Sequence, residues 1–244
     1  MLVKINEIAL NEIMKTLFFT ALLFPLFLKA YYAEVRGLDK PAGPVIYSLD
    51  LSEVKKGEIT NVTAQFTTGA KVEMEEKAIL NETTAEFIQY VITQYQTKEK
   101  GFIEVVGDTV KMKYEIEGKP TQTKEIKKPK DLVAPPNFDR WLKKNLTELK
   151  KEKTMTIDFL VWDRLDTYKF KVSYLGQTEK EGRKIQQFKM NINNFMLAAF
   201  ITPIEIDMND DLSQLVSFRG RVAVKIKKGD KYENLDADVK YFYK

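Results

Sequence analysis

After residue 44, apolar and polar side chains alternate along most of the chain, with the period of two that marks strands wet on one face. Val110, Met112, Tyr114 and Ile116 interleave with Lys111, Lys113, Glu115 and Glu117. Gly107 and Asp108 separate that run from Phe102 to Val106, which predicts a hairpin. Val45 to Leu51, Ile59 to Thr68 and Lys71 to Ile79 read as strands before it. Phe87 to Tyr95 carries two signals. Thr83 and Glu86 have capping-box spacing, whereas Val91, Ile92, Thr93 and Tyr95 favour a strand, the reading adopted. Further along, Thr154 to Trp162 and Thr167 to Leu175 form a second predicted hairpin, closed by Asp163 to Asp166. Lys184 to Asn193, Pro203 to Met208, Leu215 to Phe218, Val222 to Lys227 and Asp236 to Tyr243 follow as strands. Phe195 to Ile201 is nearly all apolar.

One stretch changes period. Phe138, Trp141, Leu142, Leu146 and Leu149 share one helical face, with Asn137 as N-cap after Pro135 and Pro136. The fold expected is mainly β: a long twisted antiparallel sheet or partial barrel, with one amphipathic helix at about 137–151 packed on it. Lys127 to Pro136 resembles a linker between two β units. One continuous domain, 34–244, is the preferred reading.

The N-terminus follows another logic. Lys15 precedes the apolar run Thr16 to Leu28, sized for a signal-peptide core rather than a membrane span. Pro25 within the run and Lys29 after it also speak against a span. Small residues follow at Ala30 and Ala33, and cleavage after Ala33 is the expectation, making 1–33 the signal peptide. Glu7 and Glu12 do not suit a basic leader, so Met14 is the expected start of translation. A buried N-terminal helix and an uncleaved anchor are the competing readings.

Composition narrows the chemistry. The chain has no cysteine and no histidine. That excludes disulfides, thiol catalysis, Ser-His-Asp triads and ordinary zinc sites. A net charge of +4 does not point to nucleic acid. The lysines at 124–130 and 143–153 alternate with Glu125, Glu148 and Glu152, as on a solvated face. Ser52 and Lys55 have Ser-x-x-Lys spacing, but the companion motifs of that nucleophile are missing. Asp207, Asn209 and Asp211 begin like a calcium loop, yet Leu212 and Phe218 stand where glycine and glutamate are required. The sequence calls for no metal or cofactor.

From Phe87 onward the pattern resembles a family of uncharacterised bacterial exported proteins. The resembling stretches are Phe87 to Tyr95, Gly101 to Asp108, Pro136 to Leu149, Asp163 to Phe170, Asn194 to Pro203 and Gly220 to Tyr241. The resemblance implies one β-rich unit and supplies no catalytic residue. Trp162, Phe170, Tyr174, Phe195, Met196, Phe200 and Ile201 are candidates to line an apolar cavity, or else they fill the core. The leading expectation is a non-enzymatic periplasmic or secreted protein that binds a lipid, another hydrophobic ligand or an envelope protein. No transmembrane span is expected in the mature chain. Two alternatives remain open. One is a glycan hydrolase using two of Asp158, Asp163 and Asp166; the other is an assembly module presenting a strand edge.

Overall fold

The computed structural model describes residues 27–180, 182–194 and 201–243. These form one fifteen-stranded sheet. Its first half comprises β1 (Phe27–Gly37), β2 (Tyr47–Lys56), β3 (Ile59–Thr68), β4 (Lys71–Asn81), β5 (Glu86–Gln94), β6 (Glu99–Val106), β7 (Thr109–Ile116) and β8 (Gln122–Lys127). The short β9 (Leu132–Val133) and helix α1 (Phe138–Glu152) lead into the second half. That half comprises β10 (Thr154–Val161), β11 (Asp166–Lys180), β12 (Arg183–Ile192), β13 (Ile204–Asn209), β14 (Leu215–Lys228) and β15 (Lys231–Tyr243). The spatial order is β8-β7-β6-β5-β4-β3-β2-β1-β15-β14-β13-β12-β11-β10-β9. Two meanders therefore meet at the β1–β15 ladder. Every ladder is antiparallel except β9–β10.

This sheet is strongly curled. Lying flat, β5 and β14 would be about 29 Å apart, six strand spacings. Instead Gln94 Nε2 donates to the Ala223 carbonyl at 3.0 Å and Gln96 Nε2 to the Lys225 carbonyl at 3.0 Å. The Tyr47 hydroxyl also donates to the Lys225 carbonyl, at 2.7 Å. A bulge between Val222 and Lys225 interrupts the β14–β15 ladder there, and side chains satisfy the backbone groups it releases. Lys225 adds an ion pair to Glu99 at 2.7 Å. The outer strands meet as well: Lys124 on β8 pairs with Asp166 on β11 at 2.6 Å. Twelve strand spacings would put them about 58 Å apart in a flat sheet. The chain itself ties the ends, since only residues 128–131 separate β8 from β9 at opposite ends of the strand order, and side chains seal the gap.

The concave face is filled from both sides. One core cluster unites Phe66, Met74, Leu80, Tyr90, Ile92, Ile103, Met112, Val224 and Val239. The other sets Trp141, Leu142 and Leu149 of α1 against Ile157, Phe170, Val172, Phe188, Met190 and Ile206. The helix thus lies inside the curl. It ends where Lys153 turns left-handed (φ 63°) and its N–H returns to the Leu149 carbonyl. Asn137 occupies the expected N-cap position, but its side chain makes no capping bond. Its Oδ1 accepts from the Ala134 N–H at 2.8 Å, and its Nδ2 donates to the Ala85 carbonyl at 3.0 Å.

Most predicted strands are present. Leu215 to Phe218 and Val222 to Lys227 prove to be one strand, β14, running through Gly220. Lys127 to Pro136 is no domain linker, because Leu132, Val133 and Ala134 are buried. The junction expected at Ala33 falls inside β1. Phe195 to Phe200 lies outside the described residues.

Trp162, on the turn after β10, covers Gly101 of β6. A Cβ at Gly101 would lie 2.7 Å from Trp162 Cε3. Gly101→Val therefore forces the indole off the β6–β7 wall. We expect a loss of about 1–3 kcal/mol in urea unfolding, and a still smaller Gly101→Ala change to cost less.

Candidate functional site: the seam between helix and sheet

The predicted apolar lining does not form one group. Trp162 packs on the first core cluster, edge-on to Tyr114 with ring centroids 5.5 Å apart. Phe170 and Tyr174 belong to the second cluster. Phe170 packs edge-on against Phe159 at 5.5 Å, and Tyr174 lies beside Phe188 with its hydroxyl donating to Gln186 at 2.7 Å. Phe195, Met196 and Phe200 are outside the described residues; Ile201 packs on the second cluster.

The candidate carboxylates are held apart by separate partners. Asp158 accepts two hydrogen bonds from Lys169, at 3.0 and 3.2 Å, and Asp166 pairs with Lys124. Asp163 is exposed on a short turn. Ser52 sits mid-strand in β2 rather than opening a helix. Asp207 is engaged by Lys180, Gln187 and Ser217, and Asn209 and Asp211 hold their own turn through the Gln214 and Ser213 N–H groups. Among the described residues no group of three or more acids is placed to hold a metal ion. None of their helices is long and apolar enough to cross a membrane.

The most organised polar geometry lies where α1 meets the opposite wall. Arg140 grips Glu53 of β2 with Nη2 at 3.0 Å and Nη1 at 3.4 Å. Its Nε donates to Glu82 at 3.0 Å, and Nη1 also reaches Asp139 at 3.0 Å. Three carboxylates surround one guanidinium, whose pKa they raise further above its ordinary value, against the effect of burial. Burial moves the Asp139 carboxyl upward, partly offset by Arg140. Four residues along the same helical side, Lys144 donates to the Thr84 carbonyl at 2.9 Å. Asn137, Arg140 and Lys144 thus fasten α1 to the β4–β5 turn and to β2.

Aromatic residues continue this seam toward the end of β15. The Tyr31 hydroxyl donates to Glu53 at 3.3 Å, and its ring stacks on Tyr243 at 4.7 Å. Tyr241 lies 6.3 Å from Tyr31. Burial lifts the hydroxyl pKa of all three tyrosines, and neighbouring carboxylates lift it further. Glu76 belongs to the same concave face. Burial pushes it up to about 6, countered by the Tyr90 hydroxyl, which donates to it at 2.8 Å. Beyond the tyrosines a cleft of about 480 Å³ opens. Tyr241, Tyr243, Leu215, Val216 and Ile185 form its apolar walls; Arg183, Lys184, Asp210 and Asp211 also line it. A second cleft, about 470 Å³, lies by the β5–β6 turn and mixes Lys98, Lys100 and Lys119 with Glu99, Glu115 and Glu117. Neither contains one of the predicted aromatic lining residues; Asn209 and Asp211, which begin like a calcium loop, line the first.

No protein-family model and no curated protein matches the chain. The fold does have counterparts among solved structures. A "beta-barrel-like protein of domain of unknown function DUF1849" from Brucella abortus matches with TM-score 0.50 and 8% identity, over 89% of this chain and 97% of that one. A DUF1329 family protein from Desulfovibrio piger matches at TM-score 0.25 and 7% identity, over 93% of this chain and 88% of that one. The chain is mainly β, and its fold is similar to that of a bacterial beta-barrel-like domain of unknown function.

Two substitutions test the seam. Arg140→Met leaves three partly buried carboxylates facing one another, and we expect a loss of about 3 kcal/mol in urea unfolding at pH 7. Glu76 works in the opposite sense. Its folded-state pKa, about 6, exceeds the ordinary 4.5, so the folded form holds more protons between those values. Its contribution to stability therefore falls as pH rises through that window, reaching a cost of about 2 kcal/mol by pH 7. Glu76→Gln should stabilise the protein at pH 7.5 relative to wild type by up to about that amount, and by much less at pH 4.

Proposed function

We propose that this is a non-enzymatic binding protein of the bacterial envelope, exported by its N-terminal segment, that takes a hydrophobic ligand in the tyrosine-walled cleft. The observation carrying this reading is the composition of that cleft. Leu215, Val216, Ile185, Tyr241 and Tyr243 offer apolar and aromatic surface at the open end of a curled sheet. Sites for small apolar ligands combine such apolar surface with polar groups that set orientation. Arg183, Lys184, Asn209, Asp210, Asp211 and Gln214 line the rest of the cleft and supply those groups. The export half of the proposal rests on the apolar run Thr16 to Leu28 behind Lys15.

The hydrolase alternative has less support. Its acids are paired with lysines or exposed, and none lines either cleft. The assembly-module alternative also loses ground. β8 is an edge strand with exposed Lys124, Glu125 and Lys127, charges that discourage a further strand.

Titration with N-phenyl-1-naphthylamine, which fluoresces on entering an apolar site, tests the reading. Wild type should give saturable enhancement. Val216→Asp, which sets a charge among the apolar walls, should weaken binding about tenfold, equivalent to about 1.4 kcal/mol, with an unchanged near-ultraviolet dichroism spectrum. No enhancement with folded wild-type protein, or equal binding by the variant, contradicts it.

A further inference from the structure

We propose that export processing cuts the chain between Ala30 and Tyr31, so that the mature protein begins at Tyr31. This rests on the export reading above. Signal peptidases cut an extended segment just after a small residue, a short distance beyond the apolar core. Immediately after the run Thr16 to Leu28, the small residues are Ala30 and Ala33. A cut after Ala33 would place bulky Tyr31 at the third residue before the bond; a cut after Ala30 places aliphatic Leu28 there.

The sheet separates the two. β1 is the eighth of fifteen strands, flanked by β2 and β15. Its ladder with β15 begins at Tyr31, opposite Tyr243, and runs to Gly37, opposite Ala237. Residues 27–30 pair with β2 alone. On the core-facing side of the retained strand, Tyr31 is 8% exposed and Ala33 and Val35 are fully buried, while Ala30 is exposed. Tyr31 also joins the seam through Glu53 and Tyr243, and Tyr32 stacks on Phe242 at 5.1 Å. A chain starting at Glu34 would keep only the end of this central strand. It would leave Leu49 and Leu51 of β2, and Tyr241 and Tyr243 of β15, without their β1 partners. A chain starting at Tyr31 keeps the whole two-sided ladder and loses only residues paired on one side.

The step is hydrolysis. A signal peptidase adds water across the Ala30–Tyr31 peptide bond, leaving a carboxylate on Ala30 and an ammonium group on Tyr31. The test is expression of the full chain in an export-competent bacterial host, with intact mass and N-terminal sequencing of the periplasmic fraction. The expected product starts at Tyr31. Ala30→Arg, at an exposed position, should abolish that product and accumulate as precursor in the membrane fraction. A mature chain starting at Glu34 or elsewhere, or normal processing of Ala30→Arg, overturns the cut while leaving export standing. A full-length wild-type chain confined to the cytosol overturns both.

Discussion

A fifteen-stranded sheet with one apolar face cannot stay open in water, and one fifteen-residue helix cannot cover that face. The sheet therefore has to cover itself. Curling brings β5 and β6 against β14, and β8 against β11, while α1 takes the space left inside. Strand number alone would leave a channel: closed barrels of about sixteen strands are wide enough to hold water. Here the interior is occupied by α1 and by large side chains such as Tyr90, Phe188, Met74 and Leu142, each under 2% exposed.

This arrangement determines where function can reside. Against β10–β13 the helix meets apolar side chains; against β2 and the β4–β5 turn it meets carboxylates and carbonyls. Arg140 spans the second contact and so carries charge into a partly buried place. Its three carboxylate partners reduce the cost of that burial, and each would be exposed to the others' repulsion if it were removed. From this polar centre the wall becomes aromatic through Tyr31, Tyr241 and Tyr243, then opens into the cleft. The binding reading rests on the aromatic and aliphatic surface that this cleft adds beside its charged groups.

The strands were legible where one face is wet. β3 matches its sequence pattern end to end, and the β6–β7 hairpin is marked by Gly107 and Asp108. β8 was not legible, because nearly all of its residues are exposed and an edge strand of that kind has no alternation to read. β1 was obscured for the opposite reason. It continues directly from an apolar run with the length of a signal-peptide core, a pattern that draws residues 31–33 into an expected leader although they lie in the sheet's centre. The seam was illegible on physical grounds. Arg140 meets Glu53 across 87 positions and Glu82 across 58, and no local period reports such a pairing. Asn137 shows how context overrides a local rule, since its side chain bonds to Ala85 instead of capping its helix. Of the aromatic residues expected to line one cavity or fill the core, Trp162, Phe170 and Tyr174 pack in two separate clusters.

The central claim is that this sheet is rolled until its two ends meet, tied by the short 128–131 link and sealed by side chains. Because the chain has no cysteine, spin labels can be attached unambiguously to cysteines introduced at the exposed positions Thr123 and Arg164. These flank the contact between Lys124 and Asp166. Double electron–electron resonance should give a narrow distance distribution within about 25 Å, a few strand spacings plus the label arms. A broad distribution, or one centred well beyond that distance, would contradict the rolled architecture and, with it, the seam and the cleft.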